Sequence, residues 1–371
     1  MGIGWLLVTA ALTVGGQSLI VRRWGLSRIR YTREFSAETC SEGEQVELVE
    51  IIANAKKLPV PWLRVESLIS AGLEFQSRFE MEVSSGEYYQ NHKSLFSLMP
   101  NTKVVRRHKV HAAKRGCYRL RSAVMECGDF LGIRAGNRPL SFEAELLVYP
   151  KLYPLDELPL PSRSWQGEQL AKRWIVDDPF VTAGVREYRY GDALNSVNWK
   201  ATARTGELQV YKRDYTTDHK LMLCVNVEES DMMWQGVTET QRIELGISVA
   251  ASLIDRFGRV GMEVGFAYNG ASADTPKESV RVEPGSGTLH TRFLMDTLAK
   301  LLLERIRPFE LFLADEADTG ISGRDYLLIT PYVSDKVTAA AARLRQNGNT
   351  VEFLLTPDVT PGGAEKGEDP L

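Results

Sequence analysis

Residues 1–21 (MGIGWLLVTAALTVGGQSLIV) form an apolar run without one charged side chain. As a helix rising about 1.5 Å per residue it reaches roughly 31 Å, against a hydrocarbon core of about 30 Å. It is predicted to be a transmembrane helix, with Trp5 and Trp24 as interfacial aromatics. From residue 31 the pattern shifts to period two. Phe75, Ser77, Phe79, Met81 and Val83 alternate with Gln76, Arg78, Glu80 and Glu82, as on a strand with one buried face. Further extended runs fall at 45–52, 95–98, 104–111, 117–126 and 145–149, parted by turn formers at 41–43, 58–61, 100–101, 115–116 and 136–137. Short strands at this spacing predict an antiparallel β-sandwich over 31–150.

The period changes again after about residue 219. The continuous apolar run 221–227 predicts a buried parallel strand. Thr238 and Gln241 form a capping box ahead of a helix face of Ile243, Ile247, Ala250, Ile254 and Phe257, closed by Gly258. A strand follows over 260–268. Phe293, Leu294, Leu298, Leu301 and Leu302 stripe a second helix ending before Pro308. Strand 326–330, a helix opened by Ser334 and closed by Gly348, and strand 351–355 complete an alternating series. Strand and helix in turn predict a doubly wound α/β sheet with right-handed crossovers. The fold class is therefore α+β multidomain: a transmembrane helix (1–21), a basic juxtamembrane segment (22–30), the β-sandwich (31–150), a linker rich in Pro, Ser and charge (151–183), a segment at 184–217, the α/β domain (218–356) and a polar, disordered tail (357–371).

Charge decides orientation and removes several function classes. Arg22, Arg23, Arg28, Arg30 and Arg33 follow the apolar run, whereas no basic region precedes it. The positive-inside rule then places the N-terminus outside and the folded domains in the cytoplasm: a single-pass protein of the cytoplasmic (inner) membrane, its helix retained rather than cleaved. In the 371 residues, 45 Lys and Arg against 48 Asp and Glu leave a net charge of −3, no basis for nucleic-acid binding. Cys40, Cys117, Cys127 and Cys224 have no metal-ligand or redox spacing, and Cys224 reads as a core residue. Phosphate-loop, zincin and α/β-hydrolase motifs are missing, and no small-molecule substrate is indicated. Gly285-Ser286-Gly287 follows Glu283-Pro284 rather than an apolar strand, unlike a dinucleotide fingerprint. Lys103, Arg106, Arg107, Lys109, Lys114 and Arg115, with His108 and His111, form a basic cluster that strand geometry should divide between two faces.

The segment from Gly184 to Tyr215 carries Arg186, Glu187, Tyr188, Gly191, Asp192, Val197, Trp199, Lys200, Ala203, Arg204, Gly206, Leu208 and Val210. It resembles the signature of the bacterial "domain of unknown function 58" family, with Asn195 where that family usually has Arg. The resemblance extends to the N-terminal anchor, the Lys114-Arg115-Gly116 turn and the turn at 128–132. It implies a membrane anchor, a β-rich domain, a von Willebrand factor A-like α/β domain and a MoxR-type AAA+ ATPase as partner. Physically, Arg186, Lys200 and Arg204 are cations beside two aromatics, Tyr188 and Trp199, with Glu187 and Asp192 able to pair with them. Gly191 and Gly206 suit turns. Two readings stay open: an inter-domain strap with Trp199 as its apolar plug, or a recognition surface anchored by Arg and Trp. No nucleophile–base pair lies there, so no catalytic residue is assigned.

In the fold that the resemblance implies, a D-x-S-x-S triplet after the first strand binds Mg²⁺. The matching positions are Asn226, Glu228 and Ser230, and Pro331 stands where a further Asp is usual. An amide for the first carboxylate makes them weak candidates for an ion, and no other cofactor is indicated. The expectation is a membrane-tethered interaction, scaffold or adaptor protein, not an enzyme. It would dock its partner at a rim formed by 226–231 and the Ser286 loop, with the bilayer as a second partner. The rival is a metal-assisted hydrolase using Glu228, Asp231 and Asp192.

Overall fold

The computed structural model describes residues 2–75, 81–85, 89–129, 134–154, 182–188, 197–213, 220–231, 233 and 236–357. It divides into two units, Met1–Lys151 and Leu152–Leu371.

The first unit opens with α1 (Gly2–Trp24), among the described residues the one helix long and apolar enough to cross a membrane. The strands are β1 (Ile29–Phe35), β2 (Thr39–Ser41), β3 (Gln45–Asn54), β4 (Val60–Ser70), β5 (Leu73–Phe75), β6 (Met81–Ser85), β7 (Tyr89–Leu98), β8 (Lys103–Ala112), β9 (Gly116–Gly128) and β10 (Arg134–Tyr149). They form two sheets, β1-β3-β8-β5 and β2-β10-β9-β4-β7-β6. Inward residues of both sheets meet, Leu48 and Val110 with Ile69, Leu120 and Leu146 at one end, Ile52 with Leu63, Val65, Phe96 and Met125 at the other. Val21 of α1 joins the second group, so the last turns of the helix pack against the β unit through this side chain.

The sequence pattern and the structure differ locally. Residues 58–61, read as a turn, lead into β4, and Pro61 sits where the pairing with β7 slips between Val60 and Leu63. A residue without an N–H is tolerated at such an irregularity. The expected strand over 75–83 is seen only as the end of β5 and the start of β6, since 76–80 lie outside the described residues. The basic cluster is divided as expected. Lys103, Arg107 and Lys109 are exposed, whereas His108 is buried, and Arg106 stacks 4.1 Å from the Phe96 ring centre.

In the second unit the elements are β11 (Thr182–Glu187), α2 (Trp199–Thr205), β12 (Gln209–Arg213), β13 (Lys220–Val225), α3 (Thr240–Arg259), β14 (Glu263–Tyr268), β15 (Gly270–Ser272), β16 (Val280–Gly285), α4 (Thr288–Ala299), β17 (Leu301–Arg305), α5 (Phe309–Asp318), β18 (Arg324–Thr330), α6 (Asp335–Gln346) and β19 (Thr350–Leu355). The main sheet runs β16-β14-β13-β18-β19, with β16 antiparallel and the rest parallel. Met222, Cys224, Tyr326 and Leu328 bury one face under α5 and α6. Helix α3 covers the other, its Gly246 lying over Val225 and Ile329.

Two helix assignments are corrected. Leu301 and Leu302 belong to β17 rather than to the second helix: α4 stops at Ala299 with no Gly or Pro to mark the end. Beyond Pro308 comes α5, which the sequence pattern did not yield. Ser334 caps α6 as expected, its Oγ accepting from Val337 N at 3.3 Å. Most of the linker and the tail after 357 lie outside the described residues.

Candidate functional site

The carboxyl ends of β13, β14 and β18 are joined by three polar side chains. Asn226 follows β13, Asn269 follows β14, and Thr330 ends β18; all three are buried. Asn226 Nδ2 donates to Thr330 Oγ1 at 3.1 Å. Its Oδ1 accepts from Asn269 Nδ2 at 3.1 Å and from Glu228 N at 2.9 Å. Asn269 Oδ1 accepts from Val227 N at 2.8 Å. Buried amides satisfied on both sides fix the loop after β13 in one conformation.

That loop presents two successive carboxylates, and each closes a different helix. Glu228 is 3 % exposed, yet its oxygens are fully engaged. Oε1 accepts from Arg305 Nη1 at 2.8 Å; Oε2 accepts from Phe309 N at 3.0 Å and from the Tyr332 hydroxyl at 3.1 Å. Phe309 is the first residue of α5, whose N-cap position holds Pro308 and has no side-chain cap. Glu229 accepts from Thr238 N, Thr238 Oγ1 and Glu239 N at the start of α3. The expected Thr238–Gln241 capping box does not form. A carboxylate from the neighbouring loop takes its place, at the end of the helix where negative charge is favoured. Burial, followed by the negative charge of Glu228, pushes the Tyr332 hydroxyl well above its ordinary value, so it stays a proton donor.

Asn226 and Glu228, two of the expected ion ligands, thus face protein partners, and Ser230 is exposed at the surface. Asp231 approaches Lys336 at 3.4 Å. Among the described residues no three His, Cys, Asp or Glu side chains gather as an ion site. Arg305 occupies the counter-charge position beside Glu228, 77 residues away in sequence. The expected rim is also corrected at one point. Gly285 pairs with Val264 near the start of β14, so the Ser286 loop lies at the amino end of the parallel strands, opposite Asn226.

The signature segment builds a separate feature. Strands β11 and β12 pair antiparallel, from Thr182 opposite Arg213 to Glu187 opposite Gln209. Between them the chain forms α2, a helix that the sequence pattern did not yield. Asn198 Oδ1 caps it by accepting from Ala201 N at 3.0 Å. Gly206 ends it at φ 76°, a left-handed conformation that glycine adopts without strain. Gln209 N donates to Thr202 Oγ1 at 3.0 Å, tying the helix to β12. Val197 and Val210 form the buried side of this feature. No residue of α2 is buried, and Trp199 is 70 % exposed. The plug role considered for Trp199 is therefore corrected: its ring is presented outward, and Lys200 and Arg204 on the same helix are exposed as well. Glu187 is exposed and Tyr188 half-buried. Arg186 lies within β11, its side chain not among those described, and Gly191 and Asp192 lie outside the described residues.

Residues 184–308 match the model of the family described as "Protein of unknown function DUF58". No curated protein matches the chain. Among solved structures, a non-cellulosomal cohesin from Archaeoglobus fulgidus aligns at 12% identity and TM-score 0.22, over 32% of this chain and 91% of its own. The ASH/PapD-like domain of human CEP192 aligns at 12% identity and TM-score 0.21, over 33% and 85%. The sixth cohesin of Acetivibrio cellulolyticus scaffoldin B aligns at 6% identity and TM-score 0.23, over 32% and 98%.

Proposed function

We propose, on the premise that residues 184–308 belong to the DUF58 family, that this chain is a membrane-anchored adaptor which works by gripping a partner protein rather than by breaking bonds. The observation that carries the reading is the exposed Trp199 on a capped helix, flanked by Lys200 and Arg204. Tryptophan and arginine are the usual energetic anchors of interfaces. Covering a Trp removes about 150–250 Å² from water, roughly 4–6 kcal/mol before the costs of association. The parallel sheet with its antiparallel edge strand supports a von Willebrand factor A-like reading of the α/β unit. Its strand-end rim works without a divalent ion, because Arg305 already neutralises Glu228. The same engagement occupies Glu228, one of the three carboxylates that the metal-assisted hydrolase would use. The apolar α1 followed by arginines supports a single-pass anchor with both folded units in the cytoplasm. The resemblance makes a MoxR-type AAA+ ATPase the favoured partner, with assembly or maturation of a protein complex as the task.

Crosslinking in native membranes followed by purification of the full chain tests this. The wild type should retain the ATPase. Trp199→Ala should weaken its affinity by about 2 kcal/mol, roughly thirty-fold, with an unchanged melting temperature. Equal retention by the variant, or no ATPase with either protein, would remove the reading.

A further inference from the structure

A cavity of about 210 Å³ opens beside the end of α1, between Gln17, Ile20 and Trp24 on the helix and Leu58 and Pro59 of the β3–β4 loop with Pro61 of β4. Its wall is almost wholly apolar. The one ammonium at its margin, Lys56, is committed to backbone carbonyls: Nζ donates to Trp24 O at 2.7 Å and also to Gly25 O. These bonds close the C-terminus of α1 with a buried cation, where the helix dipole favours one. Val21 packs into the β core next to Val60, so helix and loop are held in one register.

That register sets the cavity's depth. The uncharged part of α1, residues 2–21, covers about 30 Å, the thickness of a hydrocarbon core. Every turn of it, Gln17 and Ile20 included, is therefore needed inside the bilayer. The helical wall of the cavity then lies among acyl chains, and the loop bonded to it lies at headgroup level. Leu58 and Met99, held together by Asn54 Nδ2 donating to both their carbonyls at 2.9 Å, are exposed apolar side chains at that level. Arg22, Arg23 and Lys57, next in sequence to the lining residues Val21, Trp24 and Lys56, are exposed. An apolar slot open to acyl chains, with exposed cations next in sequence to its lining, suits a lipid carrying negative charge.

We propose that this slot binds one anionic glycerophospholipid, an acyl chain against Ile20, Leu58 and Pro61 and its phosphate among Arg22, Arg23 and Lys57. The inference rests on the anchor reading above. The lipid wedges the helix end against the β unit and fixes how the unit stands on the membrane.

The test uses the full chain in nanodiscs of phosphatidylcholine containing a small fraction of phosphatidylglycerol with a photoreactive acyl chain. Labelling should concentrate on residues 17–24 and 56–61. Leu58→Asp and Ile20→Trp, which charge or fill the slot, should each lower it at least five-fold with an unchanged circular dichroism spectrum. Arg22→Glu with Arg23→Glu should abolish the preference for the anionic lipid over a photoreactive phosphatidylcholine. Labelling indifferent to these changes, or spread evenly along residues 4–16, would overturn the slot. Alkaline carbonate extraction separates the two readings. Protein that stays in the membrane while labelling fails keeps the anchor and loses the slot; wild-type protein released by carbonate loses both.

Discussion

Glu228→Ala should destabilise the α/β unit by about 3–5 kcal/mol, the range for removing one partner of a buried ion pair. The loss is large because one carboxylate serves three donors: Arg305, the first backbone N–H of α5, and the Tyr332 hydroxyl. Without it the guanidinium lacks its counter-charge and the first N–H of α5 lacks its side-chain acceptor. Hydrogen exchange on the full chain reads the effect by region. Peptides from β13 and α5 should lose protection, and those from residues 29–150 should not. A change below about 1 kcal/mol would mean the network carries no stability. Arg305→Ala probes the same site from the other side. It leaves Glu228 buried beside Phe309 N and Tyr332 but takes away the positive charge. Millimolar Mg²⁺ should then raise the melting temperature of the variant and leave the wild type unmoved. A wild-type rise with Mg²⁺ that disappears in Glu228→Ala would instead return an ion to the rim.

What the sequence discloses here is set by distance along the chain. The 3.6-residue stripe from Ile243 to Phe257 and the apolar run at 221–225 are local signals, and both elements form where they point. The boundary at Lys300 is a local signal that misleads. Leucines continue straight from α4 into β17, and only pairing with β15 makes the second stretch a strand. The rim was legible as a place and not as chemistry. Its location followed from the doubly wound pattern, but Arg305, Asn269 and Tyr332 reach it from 77, 43 and 104 residues away. Nothing in the spacing of Asn226, Glu228 and Ser230 announces that an arginine lies beside them. Trp199 shows the same limit from the other side. A tryptophan is more often buried than not, and only the capped helix beneath it turns the ring outward.

Acid should unfold the β unit in two steps, and Glu50→Ala should remove about 3–5 kcal/mol from it at neutral pH. Glu50, 1 % exposed, lies between the sheets. It is 3.3 Å from Arg33 and 3.1 Å from His108 Nε2, and accepts from the Tyr31 hydroxyl at 2.8 Å and from Ser94 Oγ at 3.1 Å. Burial alone would raise its pKa; the His108 hydrogen bond and the Arg33 charge outweigh that and hold it at about 2. His92, also buried, is lowered to about 4, first by burial and then by the Arg33 charge. In both cases the unfolded chain binds protons more readily than the folded one, so stability falls as pH falls. The His92 contribution is lost between its ordinary 6.5 and about 4, and the Glu50 contribution between its ordinary 4.5 and about 2. Each is on the order of 3 kcal/mol, a large share of the roughly 5–15 kcal/mol that holds a domain together. Hydrogen exchange of residues 29–150 across pH 7 to 2 should show protection declining from about pH 6.5 and more steeply below about 4.5. His92→Gln should flatten the first step and spare the second, whereas Glu50→Ala should lower protection at every pH and erase the second. A β unit equally protected at pH 7 and pH 2 would mean that neither group is held in the state its surroundings impose.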